Sequence, residues 1–202
     1  VTKASKGERE QFKKHIEMLP REKIERIETA CADKGYDSEG MIEFLKEKGI
    51  KPIIDIKNQW RGETTKQYKD TDIVYTYDGK VYYVDDYGNM QSLKYLGYDK
   101  VKDTLRYQYQ KKVYSIELNY DRRVFTPIAR DSKKWQRKYN RRTALERING
   151  RMDRDFNLEN HKVRGLKKAT VLIDIMMIAM MGMAKGHIIN KQPEKIRKLK
   201  AT

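Results

Sequence analysis

TACADKGYDSEGMIEFLKEKGIKPIIDIK, residues 29–57, carries the pattern from which the fold is read. Its first residues, Thr29 to Ala32, are small and partly apolar and run into Asp33-Lys34-Gly35, where a glycine behind two charged residues marks a turn. A short buried strand ending at Asp33 is expected. Asp37 or Ser38 can then accept hydrogen bonds from the free amides that open a helix. Met41, Ile42, Phe44 and Leu45 supply its apolar stripe, and Gly49 stops it. Pro52-Ile53-Ile54-Asp55-Ile56-Lys57 is apolar and β-branched, which predicts a second strand. Strand, helix and strand at this spacing form the pattern of a parallel βαβ crossover, because parallel strands cannot be joined by a tight hairpin.

Outward from this unit the chain changes character. Upstream, residues 6–28 are highly charged and interrupted by Pro20, with Phe12, Ile16 and Leu19, then Ile24 and Ile27, at helical spacing. Two short helices are expected there. Downstream, residues 58–131 hold most of the chain's 14 tyrosines. Val74-Tyr75-Thr76-Tyr77 and Val81-Tyr82-Tyr83-Val84 flank Asp78-Gly79, a hairpin signal. Further strands are expected at 105–110, 113–118 and 124–128, making an antiparallel β insertion. A long basic helix is predicted from Asp131 or Ser132 to about Arg154, and a second from about His161 to Lys185. The division that follows is 1–57 core, 58–131 insertion, 132–190 helices completing the core, and 191–202 a basic tail.

Composition narrows the partners. Lys and Arg number 45 against 29 Asp and Glu, a formal charge of +16. Such an excess repels itself unless a polyanion screens it, and here it is spread along the chain instead of forming a juxtamembrane block. Nucleic acid is the expected partner. The most apolar run, Val171 to Met183, is shorter than a bilayer requires, so a buried core helix and no membrane are expected. The single cysteine, Cys31, has no thiol to pair with and reads as a small packing residue in a reducing, cytoplasmic setting. His15, His161 and His187 lack metal-ligand spacing. No glycine-rich phosphate loop follows a strand, which leaves no footing for a nucleotide-hydrolysing function or other small-molecule substrate.

Two carboxylates stand out by position. Asp33 closes a predicted strand on the edge where open α/β sheets collect ligands, although an aspartate before Lys-Gly also forms a turn for purely local reasons. Glu146 sits within a predicted helix, where Arg142 four residues earlier offers it an ordinary surface ion pair. Asp55 is the other acid inside an apolar strand, and a strand-edge polar role suits it as well as a metal role.

The stretch Ala32-Asp33-Lys34-Gly35-Tyr36-Asp37-Ser38, with the helix and strand after it, resembles the second-aspartate region of DDE-type bacterial insertion-sequence transposases of the IS4/IS5/IS1182 type. Ser132-Lys133-Lys134-Trp135 and Tyr139-x2-Arg142-x3-Glu146 are similar to the same family's Tyr-Arg-Glu-Lys signature around its third carboxylate. Arg164-Gly165-Leu166-Lys167-Lys168-Ala169 extends the likeness.

The resemblance implies an α/β, ribonuclease-H-like fold in which three carboxylates hold two Mg²⁺ (or Mn²⁺) ions for DNA strand cleavage and transfer. Asp33 and Glu146 would be the second and third catalytic, metal-binding carboxylates. Tyr139 and Arg142 would contact DNA phosphate, flanked by Lys134 and Trp135. The signature's lysine position holds Asp153, with Arg151 and Arg154 as the nearby cations. No aspartate precedes Asp33, so the resemblance implies the C-terminal part of a catalytic domain, its first strands missing, inactive alone. Transposon-end DNA, a homodimer and a nucleoid-associated cytoplasmic location are implied with it. The competing expectation is a non-catalytic DNA- or RNA-binding module.

Overall fold

A computed structural model describes residues 7–196. They form two compact units, one from Gly7 to Arg142 and one from Thr143 onward.

The first unit is organised on strands β1 (Thr29–Ala32) and β2 (Lys51–Ile54), which pair in parallel with Ala32 opposite Ile54. Helix α3 (Glu39–Glu47) makes the crossover, preceded by Ser38 in extended conformation and closed by Gly49 at a φ of +72°. Parallel strands need both faces covered, and here both are. Met41, Ile42 and Leu45 of α3, with Ile16 of α1 (Glu8–Glu17), pack on Ala30, Ala32 and Ile54. On the other face Cys31 and Ile53 meet Ile128, Trp135 and Tyr139. Trp135 and Tyr139 belong to α4 (Lys133–Tyr139), which Ser132 caps by accepting a hydrogen bond from the Trp135 amide. Pro20 separates α1 from α2 (Arg21–Glu25), as its missing amide dictates.

Between β2 and α4 the chain builds two antiparallel sheets over one aromatic core. The first has the order β3 (Lys66–Gln67), β4 (Ile73–Tyr75), β5 (Val81–Val84), β6 (Met90–Ser92). The second is a meander of β7 (Lys94–Asp99), β8 (Thr104–Tyr109) and β9 (Lys112–Glu117). Leu93 carries the chain from one sheet to the other, its amide still donating to Val81. Tyr75, Val81, Leu93, Leu105, Tyr107 and Ile116 fill the space between. The expected hairpin forms at Asp78-Gly79, where Gly79 has a φ of +87°, and a Cβ there would come within 3.2 Å of Arg130 Cβ.

Three expectations are corrected. Residues 124–128 form no strand: Pro127 has no amide to give a ladder, and the carbonyls of Arg123 and Val124 accept from the Arg130 side chain. The long basic helix is interrupted: α4 stops at Tyr139, Asn140–Arg142 is a 3-10 turn, and α5 (Thr143–Phe156) begins after it. Asn140 and the β-branched Thr143, on either side of consecutive arginines, are poor residues for continuing an α-helix. The last helix, α6 (Leu166–Ile189), starts later and runs further than the expected span from about His161 to Lys185.

The second unit is a helical pair. Ile148, Met152 and Phe156 of α5 pack on Leu172, Met176 and Met180 of α6. Val171, Ile175, Ile178, Met181, Ile188 and Ile189 of α6 are exposed, in place of the fully buried helix expected. By length and composition alone, α6 is long and apolar enough to cross a membrane.

Two arginines tie the β region to the parallel strands. The Asp37 side chain is fully buried (0%) and lies 2.5 Å from Arg123 Nη2. It also accepts the Lys57 amide at 2.9 Å. Removing one partner from a buried pair leaves an uncompensated charge, which costs far more than the pair contributes. Arg123→Ala should therefore destabilise the protein by about 3–5 kcal/mol, read as a lower urea midpoint. A drop no larger than an exposed control such as Arg21→Ala produces would show that Asp37 does not depend on this partner.

Candidate DNA-processing edge of the parallel strands

The functional candidates of the first unit gather where β1 and β2 end. The Asp55 amide donates to the Ala32 carbonyl at 3.3 Å, so the pairing continues one step past the strands. Asp33 and Asp55 therefore leave the sheet at the same carboxyl edge. That edge is where helix amides and loop side chains converge in open α/β sheets.

Asp33 is exposed and extended, with φ −82° and ψ −179°. Its Oδ1 accepts the Gly35 amide at 2.7 Å, forming a capped 3-10 turn over Lys34–Tyr36. The turn expected from the sequence is thus present, and it still leaves Oδ2 clear of it. Gly35 suits this arrangement, because a Cβ there would sit 2.8 Å from Asp33 Oδ1. Arg9 of α1 donates to the Gly35 carbonyl at 2.7 Å and brings a cation beside the turn.

Asp55 is more engaged. Its Oδ1 accepts the Ile56 amide at 2.9 Å. Its Oδ2 accepts the Tyr139 hydroxyl at 3.4 Å and lies 3.6 Å from Lys34 Nζ. The Tyr139 ring stacks on Trp135 with centroids 4.8 Å apart, and the Arg142 guanidinium lies 5.5 Å from its centroid. Burial, then the Asp55 charge, raises the Tyr139 pKa, while Arg142 opposes the rise. The tertiary structure so brings Tyr139 and Arg142, expected to contact phosphate, to the edge that carries Asp33.

Other expected residues take different positions. Trp135 is buried among Ile53, Ile128 and Cys31, with Arg130 6.0 Å from its ring centroid, so it acts in packing. Lys134 is exposed, as are Lys133, Arg137 and Arg141, four cations along α4 and the turn after it. Lys138 is held by Glu28 at 2.9 Å, and its carbonyl accepts the Cys31 thiol at 3.4 Å. Burial pushes that thiol's pKa up, consistent with a packing role.

Glu146 is an exposed residue of α5 in the second unit. Asp153, at the position where a lysine was expected, accepts the Glu159 amide at 3.0 Å and so bonds the last turn of α5 to the 3-10 turn Leu158–Asn160 that follows it. Arg154 and Arg151 both reach Asp155, at 2.8 and 3.9 Å. Among the described residues no group of three or more His, Cys, Asp or Glu side chains is placed to hold a metal ion. Carboxylate oxygens are the right donors for a hard divalent cation, but the described residues supply no complete ligand set.

Beside Asp55 opens a cleft of about 380 Å³ lined by Asp78, Lys80, Arg130, Asp131 and Trp135. Of the three residues that shape this region most, the sequence offered Asp37 only as a helix cap, a bond it does not make, and pointed to neither Arg123 nor Arg130. Asp37 and Arg123 are an ion pair 86 positions apart, and Arg130 is buried with its guanidinium on the carbonyls of Ile54, Arg123 and Val124. Burial lowers the Arg130 pKa to about 10, which leaves it charged at neutral pH. An arginine at the end of the apolar run Phe125–Ala129 was the signal available.

Among known proteins, the family model described as "Transposase DDE domain" matches residues 1–181, most of the chain. No curated protein and no solved structure matches.

The cleft makes a pH-dependent prediction. Burial of its carboxyl against the cleft, and secondarily Asp78, raise the Asp131 pKa to about 6, although the residue as a whole is exposed, which weakens the shift. A carboxyl whose folded pKa lies above its unfolded value binds more protons in the folded state between the two. Its contribution to stability therefore falls as pH rises from about 4 through about 6. Asp131→Asn should melt higher than the parent at pH 8, with the gap closing by pH 4. A gap independent of pH would contradict this.

Proposed function

The chain belongs to the transposase DDE domain family, and from that premise we propose that it contributes two carboxylates and a phosphate-binding surface to metal-dependent DNA strand cleavage and transfer. The observation that carries the proposal is that Tyr139, with Arg142 over its ring, bonds Asp55 at the sheet edge where Asp33 also leaves. More than half the chain separates Asp33 from Tyr139 and Arg142 in sequence, so no single local motif carries all three.

In this reading the first unit and the helices after it are the later part of a ribonuclease-H-like domain of the IS4/IS5/IS1182 type, and the two antiparallel sheets are its insertion. Asp33 and Glu146 are the second and third metal-binding carboxylates. Mg²⁺ or Mn²⁺, when bound, supplies charge neutralisation at a scissile phosphate. Arg142, with a planar guanidinium suited to phosphate, binds the strand beside the metal, and Tyr139 supports it. Lys133, Lys134, Arg137 and Arg141 hold the flanking backbone of transposon-end DNA, and Arg151 and Arg154 bind it from α5. Two assigned carboxylates are short of a triad, so this chain alone binds metal and DNA better than it cleaves. Action as a homodimer in the cytoplasm, associated with the nucleoid, belongs to the same proposal.

A non-catalytic DNA-binding module is the second reading, favoured by the absence of a metal-sized carboxylate group among the described residues. Mn²⁺ titration followed by electron paramagnetic resonance separates the two. Asp33→Asn and Glu146→Gln should each weaken Mn²⁺ binding about tenfold or more while leaving metal-free DNA affinity intact. Unchanged Mn²⁺ binding in both variants would remove the metal assignment and leave the module.

The basic face has its own test. On duplex DNA, removing one cation that neutralises a phosphate lowers the slope of log affinity against log salt by about 0.9. Lys134→Ala with Arg137→Ala should flatten that slope by about 1 to 2 and weaken all sequences alike. An unaltered slope would move the DNA elsewhere.

A further inference from the structure

Asp55 does something that its strand-edge position does not require. An aspartate that merely ended β2 would be satisfied by the Ile56 amide, which its Oδ1 accepts at 2.9 Å. Its second oxygen instead turns toward α4, where it accepts the Tyr139 hydroxyl at 3.4 Å, with Lys34 Nζ 3.6 Å away. The Tyr139 ring has no freedom to answer by sliding, because it is stacked on the buried Trp135 at an interplanar angle of 13°. Asp55 therefore decides the one thing left open at Tyr139, the direction of the hydroxyl proton.

That direction has a consequence for Arg142, whose guanidinium lies over the same ring at 5.5 Å. A phenol whose proton is donated to Asp55 presents its lone pairs to its other neighbours, and a guanidinium has donors and no acceptor. The oxygen can then only support Arg142 as an acceptor. With the proton turned outward, the phenol would compete with Arg142 for acceptors, a phosphate oxygen included.

We propose that Asp55 is a positioning residue for DNA binding: it takes the Tyr139 proton and so sets the Tyr139 oxygen as an acceptor that orients Arg142 toward a phosphate. This rests on the reading of Tyr139 and Arg142 as the phosphate-binding pair. Asp55 itself does not touch the DNA, and its negative charge would repel it. Lys34, beside Asp55 at the edge, offsets that charge.

Asparagine and alanine at position 55 test this, because both remove the charge and differ only in hydrogen bonding. Asparagine can keep the Ile56 amide on its oxygen only by donating to the phenol oxygen, which turns the Tyr139 proton outward, whereas alanine leaves that oxygen free to go on accepting from Arg142. Duplex DNA affinity of the 202-residue chain is measured for Asp55→Asn and Asp55→Ala, each with and without Tyr139→Phe. Melting temperatures confirm that all four variants are folded.

With Tyr139 intact, Asp55→Asn should bind about fivefold more weakly than Asp55→Ala, the worth of one hydrogen bond. With Tyr139→Phe the difference should vanish. Equal affinities with Tyr139 intact, or a difference that survives Tyr139→Phe, would overturn the positioning role. The parent reading fails separately: Tyr139→Phe and Arg142→Ala without loss of affinity in the otherwise unchanged chain would show that this pair does not meet phosphate at all.

Discussion

A buried carboxylate between a backbone amide and a guanidinium holds the first unit together. Asp37 lies in the turn between Asp33 and α3, and its side chain is out of contact with solvent. Its partners are the Lys57 amide just beyond β2 and the Arg123 side chain at the return of the β region. Three segments distant in sequence are thus fastened at one point. Arg130 repeats the device a few residues later, with carbonyls in place of a carboxylate. A guanidinium can bond several carbonyls in its plane, so one side chain joins the end of β2 to the loop that leads into α4.

The candidate site inherits its geometry from these bonds. Arg123 and Arg130 set where the chain re-enters the parallel core, and Ser132 then starts α4 by capping it. Because α4 begins there and packs Trp135 on Ile53, its last turn delivers Tyr139 to Asp55 at the carboxyl edge. The 3-10 turn after Tyr139 places Arg142 over the ring. Buried charge in this protein contributes position more than net stability, the role in which buried polar groups are most useful.

Much of this was legible in the residues. The βαβ unit, the break at Pro20 and the Asp78-Gly79 hairpin each rest on a local signal: an alternation, a missing amide, a turn that tolerates positive φ. The transposase likeness rested on two short motifs in order, and the family match covers both. Where the reading erred, long-range bonds prevailed over local propensity. Residues 124–128 are β-branched and aromatic, but Pro127 and the Arg130 guanidinium divert their backbone. The resemblance set Trp135 beside the DNA, yet its indole covers the parallel strands.

By itself, the sequence determined most of the strands and helices, that the crossover is parallel, that the charge suits a polyanionic partner, and which family the chain joins. Periodicity, glycine and proline placement and net charge are local or additive, so they can be read without coordinates. Only the tertiary structure decided that Asp33, Asp55, Tyr139 and Arg142 share an edge, and that Asp37, Arg123 and Arg130 build it. The Asp37–Arg123 pair spans 86 positions, and no local preference encodes a pairing across such a distance. It follows from how buried charges must be satisfied once the core has closed around them.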